Sequence, residues 1–362
     1  MKEQLVVKNF GPIIDIDIEI KDINIFIGTT SSGKSTIAKL ISIFKSDQLH
    51  FRSEWINGSE EERSNLIIQF NRLLSLYNIE FLIDSKTYIR YQSGEMYCEI
   101  RAGFVGSTFT PYNITPSYNP VYIPAERVFF STLSQSIFSL ISSDVSLPKW
   151  LLDFGKRFEK ARRDVKSFDI EFLKAKYRFV DGNDILELEN NKTIKLSQSS
   201  SGIQSIVPLM LVIQHLTDEL ESFAKEMSYD LFVVEEPEMN IYPSSQKDLL
   251  EFIIRRIKRT SDKLILTTHS PYLLTAMDNL VQAGNVSEKG ESIEKQLSKI
   301  IPQDLWTDFD QVTCYFFNGG YCRSTLDMEL RSLGSSSIDD VSMQLGEVFD
   351  KLLKLKYQRN EL

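Results

Sequence analysis

Gly28-Thr29-Thr30-Ser31-Ser32-Gly33-Lys34-Ser35 fits the pattern G-x-x-x-x-G-K-[ST], and its neighbours supply the setting that pattern needs. Upstream, residues 23–27 (INIFI) form a short, nearly all-apolar run, as a buried strand would. Downstream, residues 35–44 place Ile37, Leu40, Ile41 and Phe44 at helical spacing. A strand, a glycine-bounded turn and a helix start aim a row of free backbone amides at one point. Lys34 adds a point charge for the β- and γ-phosphates, and the Ser35 hydroxyl is a ligand for Mg²⁺. The loop predicts bound ATP with Mg²⁺, held by Gly28, Thr29, Thr30, Ser31, Ser32, Gly33, Lys34 and Ser35, with Thr36 following.

Towards the N-terminus, residues 5–7 are a short apolar run. Ile13–Ile20 alternates apolar and acidic residues with period two, as in a half-exposed antiparallel strand. Beyond the loop, residues 63–75 read as a helix through Leu66, Ile67, Phe70, Leu73 and Leu74. Residues 80–100 contain strand-like pieces, and 108–120, rich in Pro, Asn, Ser and Thr, read as a loop. Residues 120–123 are a further buried strand leading into Pro124-Ala125-Glu126-Arg127. A charged helix is expected over 154–176, without the sustained heptad of a long coiled coil. Residues 179–196 read as a hairpin with turns at Asp181-Gly182-Asn183-Asp184 and Asn190-Asn191.

The second half is more regular. A long helix is expected over 202–227, with Pro208 in its first turns, then a buried strand at 231–234. A helix at 244–258 and a buried strand at Lys263–Thr268 follow. Residues 312–317 and Tyr321–Ser324 flank Asn318-Gly319-Gly320 as a hairpin, and a helix over 337–356 closes the chain. Strands alternating with helices predict an α/β fold.

Composition narrows the function classes. The 362 residues carry 41 basic and 50 acidic side chains, a net charge of −9, which argues against coating nucleic acid by charge alone. Two basic runs stand out: Lys156, Arg157, Lys160, Arg162, Arg163 and Lys166, then Arg255, Arg256, Lys258, Arg259 and Lys263. They read as solvated helix faces, a DNA groove being the alternative. Cys98, Cys314 and Cys322 are too few and too scattered for a disulfide framework or a zinc ribbon, and they suit a reducing cytosol. Met1-Lys2-Glu3-Gln4-Leu5 lacks the build of a signal peptide, and no apolar stretch approaches the ~18 residues of a membrane span. The expectation is a cytoplasmic protein with no membrane partner.

Three further features carry chemistry. Leu231-Phe232-Val233-Val234-Glu235-Glu236 is an apolar strand ending in two carboxylates that alternation points in different directions. Glu235 is expected to hold Mg²⁺ and Glu236 to polarise the attacking water. His269 follows the buried strand at Lys263–Thr268, 33 residues beyond Glu236 (269 − 236). The next strand of a parallel sheet would bring it near the γ-phosphate as a sensor. His50 and His215 have no such setting and read as structural. Ser197-Gln198-Ser199-Ser200-Ser201-Gly202-Ile203-Gln204 opens a helix with small polar residues, a good anion site.

In this order, the motifs resemble the ABC-type ATPase heads of the SMC, RecF and OLD families. Asn9-Phe10-Gly11 matches an element of their first strand, and Ser201-Gly202-Ile203-Gln204 matches their signature Ser-Gly-x-Gln. Pro237-Glu238-Met239-Asn240-Ile241-Tyr242-Pro243 is similar to their Pro-Glu-x-x-Leu-His-Pro segment, and Thr268-His269-Ser270-Pro271 to their switch histidine. Tyr122-Ile123-Pro124-Ala125-Glu126-Arg127 resembles a segment of small bacterial ATPases of this group. The resemblance implies a P-loop NTPase of ABC-type head architecture, with a mixed central sheet, an antiparallel N-terminal β-subdomain and a helical insertion. The head would span 1–280, with the insertion at about 45–191, and 281–362 would complete it with a hairpin and a helix. ATP would lie between two copies of the chain, with Ser201, Gly202 and Gln204 of one facing the phosphate loop of the other. Hydrolysis through Glu236 would release the pair.

This sequence departs from the family pattern in places. Glu235 stands where Asp is frequent, Ile203 replaces a second signature glycine, and Tyr242 replaces a frequent His. Gln92 and Gln135 lack the context of a Q-loop glutamine, with Glu126 and Arg127 the alternative for that lobe. The resemblance extends to the Septu, PARIS and OLD groups, which implies an anti-phage defence ATPase working with a separately encoded nuclease effector, as a homodimer or higher assembly. Residues after Leu280 show neither the spaced acids of a TOPRIM centre nor a His-Asn-His pattern. A RecF- or SMC-like DNA-repair ATPase binding DNA is the alternative. A transporter nucleotide-binding subunit is a third reading, disfavoured by the long stretch between loop and signature.

Overall fold

The computed structural model describes all residues except 1–2, 47–48, 50–59, 95, 102–103, 109–117, 134–146, 190–191, 223–228, 335–346 and 354–362. Strand β3 (Ile23–Gly28) is buried at all six positions because it has a parallel neighbour on each edge and a packed core on each face. Those neighbours are β13 (Lys263–Thr268) and β14 (Val312–Asn318), and β12 (Tyr229–Glu235) and β7 (Tyr118–Ile123) extend the parallel block beyond β13. Alternate residues of these strands feed two separate cores. Ile25, Ile27, Val234 and Leu266 face one, while Phe26, Val233 and Ile265 face the other.

Helix α1 (Lys34–Lys45) covers the second face, with Ile37, Leu40, Ile41 and Phe44 buried as their spacing predicts. Further along the chain come α2 (Glu60–Leu76), the short α3 (Val128–Leu133) and α4 (Lys149–Val165). Helices α5 (Ser201–Ser222), α6 (Pro243–Thr260) and α7 (Pro271–Ser287) supply apolar residues to the first face. The starts of α6 and α7 each carry a proline, and Ser270 caps α7 by accepting from the Leu273 amide.

An antiparallel half continues the same sheet. It comprises β1 (Glu3–Phe10), β2 (Ile13–Ile20), β4 (Tyr88–Ser93), β5 (Met96–Arg101) and β6 (Phe104–Thr108). The C-terminal hairpin partner β15 (Tyr321–Ser324) joins the two halves, pairing antiparallel to β14 and parallel to β2. The eleven strands run β6-β5-β4-β1-β2-β15-β14-β3-β13-β12-β7. The protein is thus an α/β P-loop fold with a large mixed sheet. A separate four-stranded antiparallel sheet holds β8 (Ser167–Ile170), β9 (Ala175–Val180), β10 (Asn183–Leu188) and β11 (Thr193–Lys195).

Some sequence expectations change. The helix expected over 154–176 stops at Val165, where Lys166 turns left-handed (φ 54°), and the chain doubles back as β8 and β9. Ile170, Ala175 and Tyr177 bury one face of that pair with period two, which outweighs the surrounding charge. Residues 5–7 and 120–123 grow into the longer strands β1 and β7. Pro120 is tolerated in β7 because it is an edge strand. Within the basic runs Lys156, Lys160, Arg163, Lys166, Lys258 and Arg259 are exposed, as solvated faces are, whereas Arg162 is buried against Asp184, Arg255 meets Asp304 and Arg256 meets Asp218. Much of the expected 108–120 loop, His50, the tail of the 202–227 helix and most of the 337–356 helix lie outside the described residues, though 347–353 is helical.

Candidate functional site: the phosphate loop and the acidic strand end

The phosphate loop leaves β3 under tight packing. A Cβ on Gly28 (φ 151°) would lie 2.0 Å from the Phe317 carbonyl oxygen, and one on Gly33 (φ 98°) 2.1 Å from Ile13 Cδ1. Both positions require glycine, Gly28 because the β14 backbone leaves no room for a Cβ and Gly33 because of its positive φ. The Thr29 amide donates to Phe317 O (3.1 Å), and the Thr29 hydroxyl to Asn318 Oδ1 (3.3 Å). Thr30 and Ser31 are exposed, Ser32 is buried, and Ser35 and Thr36 are half-buried on the first turn of α1. Lys34 Nζ is folded over the loop, donating to the carbonyls of Gly28 (3.1 Å) and Thr29 (2.8 Å) and towards Ser32 Oγ (3.5 Å). Burial lowers the Lys34 pKa, opposed by the carboxylates of Glu236 and Glu238.

Sheet register brings the other residues to the same end. Glu235 pairs with Thr267 on β13, and Thr268 pairs with Ile27 on β3. Glu235 is 6% exposed and its Oε1 has no hydrogen-bond partner. Burial raises its pKa, opposed by the hydroxyls of Ser35 and Tyr122, which face the carboxylate, and by Lys39. The Tyr122 hydroxyl points at this group without closing a well-formed hydrogen bond, so the carboxylate keeps a free acceptor.

Glu236 takes the opposite direction through a left-handed backbone (φ 41°), with its amide donating to Thr267 O (2.9 Å). Its Oε1 lies 3.4 Å from His269 Nε2, and both side chains are about a third exposed (34% and 33%). Glu238 fixes the histidine's peptide: its Oε1 accepts from the His269 amide (2.6 Å) and the Thr268 hydroxyl (2.7 Å). The chain therefore gathers the phosphate loop, Glu235, Glu236 and His269 on itself.

The start of α5 is placed differently. Gly202 packs so closely that a Cβ would lie 2.5 Å from Asn240 O, while Ser201 is exposed. Gln204 turns inward, its amide donating to Ser197 O (3.2 Å) and Ser199 O (2.8 Å) and its Oε1 accepting from Thr132 Oγ1 (3.0 Å). Gln204 shapes its own loop. Arg127 is fully buried behind the acidic strand, and all its hydrogen bonds go to backbone carbonyls.

Sequence reasoning gave no role to Tyr122, Glu238 or Asn318. Glu238 was visible in the Pro-Glu segment, whereas Tyr122 and Asn318 reach the site only through the order of strands in the sheet.

A strand–loop–helix cradle with an acidic strand next but one is the frame of a P-loop ATPase, and the sequence of this chain matches the AAA ATPase domain family over residues 1–171 and 130–274. The chain belongs to that family. ATP hydrolysis is accordingly the activity of this ATPase. A search of curated proteins finds no match. Among solved structures, the SMC head domain from Thermotoga maritima is 13% identical, with 89% of this chain and 97% of that chain covered and a TM-score of 0.37. The recombination mediator RecF in the RecFOR pathway, with bound ATPrS, is 11% identical, with 90% and 98% covered and a TM-score of 0.41. An ATP-binding cassette of an ABC transporter, MJ1267 in its ADP conformation, is 13% identical, with 96% and 100% covered and a TM-score of 0.39. Scores this low leave the fold to rest on the sheet topology and the family match. Among the described residues, no helix is long and apolar enough to cross a membrane.

Proposed function

We propose that this ATPase is an ATP-driven dimerisation switch, acting in the cytoplasm as the sensor subunit of a bacterial anti-phage defence complex that controls a separately encoded nuclease. The observation that carries the switch is the division of the site. Phosphate loop, Glu235, Glu236 and His269 cluster on one chain, while the helix start at exposed Ser201 packs through Gly202 on its own Asn240, and no hydrogen bond among the described residues joins it to the phosphate loop. A second copy would supply Ser201 and Gly202 to the γ-phosphate, with Gln204 holding that loop in shape. Residues 1–280 form the head in this reading, and 281–362 complete it. The defence role rests on the resemblance of the Tyr122-to-Arg127 segment to small bacterial ATPases of this group, and the order of the motifs supports the ATPase head. The net charge of −9 and the pairing of Arg162, Arg255 and Arg256 with acids weigh against a DNA groove as the primary role.

Each residue has a task. The loop amides and Lys34 hold the β- and γ-phosphates. Glu236 takes the proton of the attacking water, and His269, 3.4 Å from it, senses the γ-phosphate. The unpartnered Oε1 of Glu235 beside the Ser35 hydroxyl fits a hard cation such as Mg²⁺, which adds charge to offset the phosphates when bound. Glu236→Gln should keep ATP binding, abolish hydrolysis and trap a dimer. Light scattering after gel filtration with ATP and Mg²⁺ checks it: the expected mass is twice the chain, and a monomer under saturating nucleotide contradicts the switch.

A further inference from the structure

We propose that Arg127 is a positioning residue that ties the direction of Glu236 to the seat of the Ser201 helix, an inference that rests on reading Glu236 as the base. Its guanidinium joins three segments far apart in sequence. Nε donates to Ser205 O in the first turns of α5 (3.0 Å), and Nη1 to Pro124 O (3.0 Å) and Glu235 O (2.8 Å). Nη2 donates to Glu236 O (2.8 Å). All four acceptors are backbone carbonyls, so the bonds record where the chain runs and not which side chains it carries. A planar guanidinium with fixed donor directions holds such a set rigidly, which a flexible lysine amine does not.

Glu236 is where that rigidity matters. Its left-handed backbone is a conformation that a residue with a Cβ adopts only when its surroundings impose it. The Thr267 carbonyl holds its amide and Arg127 holds its carbonyl, so the peptide is pinned on both sides and the carboxylate is aimed at His269. Arg127 in turn moves with the signature loop. Ser131 Oγ donates to Gln204 O (2.6 Å) and Thr132 Oγ1 to Gln204 Oε1 (3.0 Å), clamping α3 to the residue next to Ser205. A shift of the Ser201 helix on meeting a phosphate would therefore reach Glu236 through one side chain. The cation survives burial because Glu238, Glu236, Glu235 and Glu126 act on it, although burial lowers its pKa to about 10.

The test separates kcat from binding. Arg127→Lys keeps the charge and loses the fork, so ATP affinity and ATP-dependent association should stay within about threefold of the native chain. Its kcat should fall about 100-fold, the scale of a catalytic group misplaced by an ångström. A Ser131→Ala, Thr132→Val variant, which leaves Arg127 and the acidic strand intact, should also lower kcat with affinity preserved. Native kcat in either the Arg127→Lys or the Ser131→Ala, Thr132→Val variant overturns the inference. If Glu236→Gln itself hydrolyses ATP at the native rate, the reading of Glu236 fails instead, and the two failures are distinct.

Discussion

Glu235 and Glu236 share one strand end, and residue-scale physics gives them opposite circumstances. Glu235 is buried with a raised pKa and an unpartnered oxygen, a group short of positive charge. Glu236 is turned by a left-handed peptide into the half-open mouth beside His269. That two different carboxylates end the strand was legible from alternation, but the strained peptide and its Arg127 clamp were not, because neither leaves a local pattern. The same scale governs the thiols. Burial pushes Cys98 and Cys314 up to about 12 and Cys322 up to about 11, so the reactive thiolates stay scarce until the pH approaches those values. The folded ATPase should therefore resist iodoacetamide at pH 8, label increasingly as the pH rises towards 11, and label fully once unfolded. Rapid modification of the native chain at pH 8, read by mass spectrometry, would contradict this.

At the scale of elements, the four-stranded lobe is held to α4 by a buried polar knot. Arg162 Nη1 meets Asp184 Oδ2 at 3.1 Å, Glu159 pairs with the same guanidinium, and Tyr177 donates to Asp184 Oδ1 at 2.5 Å. The Arg162 and Asp184 side chains are only 8% and 4% exposed, and burial already raises the Asp184 pKa. Arg162→Met leaves Asp184 buried without its cation, so the lobe should lose about 3–5 kcal/mol by denaturant midpoint. A loss under about 1 kcal/mol would show that the knot is solvent-screened, as exposed pairs are. Sequence reading carried a helix across this region because Lys174 and Lys176 continue the charged composition past Lys166. Composition hid the change of period from helical to alternating that starts β8. Where period and punctuation agreed, as in β2, β3, β13 and the Gly319-Gly320 hairpin, the elements were readable.

For the whole molecule, the decisive fact is how one sheet collects distant pieces. Thr29 and Asn318 are 289 residues apart and hydrogen-bonded, because β14 inserts between β3 and β15. The hairpin was legible as a hairpin, but its insertion beside the loop strand was a matter of long-range pairing that no local signal encodes. The sheet brings the loop, the acidic strand and His269 together from one chain, while Ser201 at the start of α5 is exposed. In the proposed switch this exposed helix start belongs to a site on another copy. Mixing Lys34→Ala chains with Ser201→Arg chains tests it, since one has a dead loop and an intact helix start and the other the reverse. Each variant alone should be inactive. In a two-fold dimer, half of the randomly mixed pairs are mixed and carry one intact site of two, so ATP hydrolysis should return to about a quarter of the native rate. A mixture no more active than its components, or full activity of Ser201→Arg alone, would contradict a site shared between two copies.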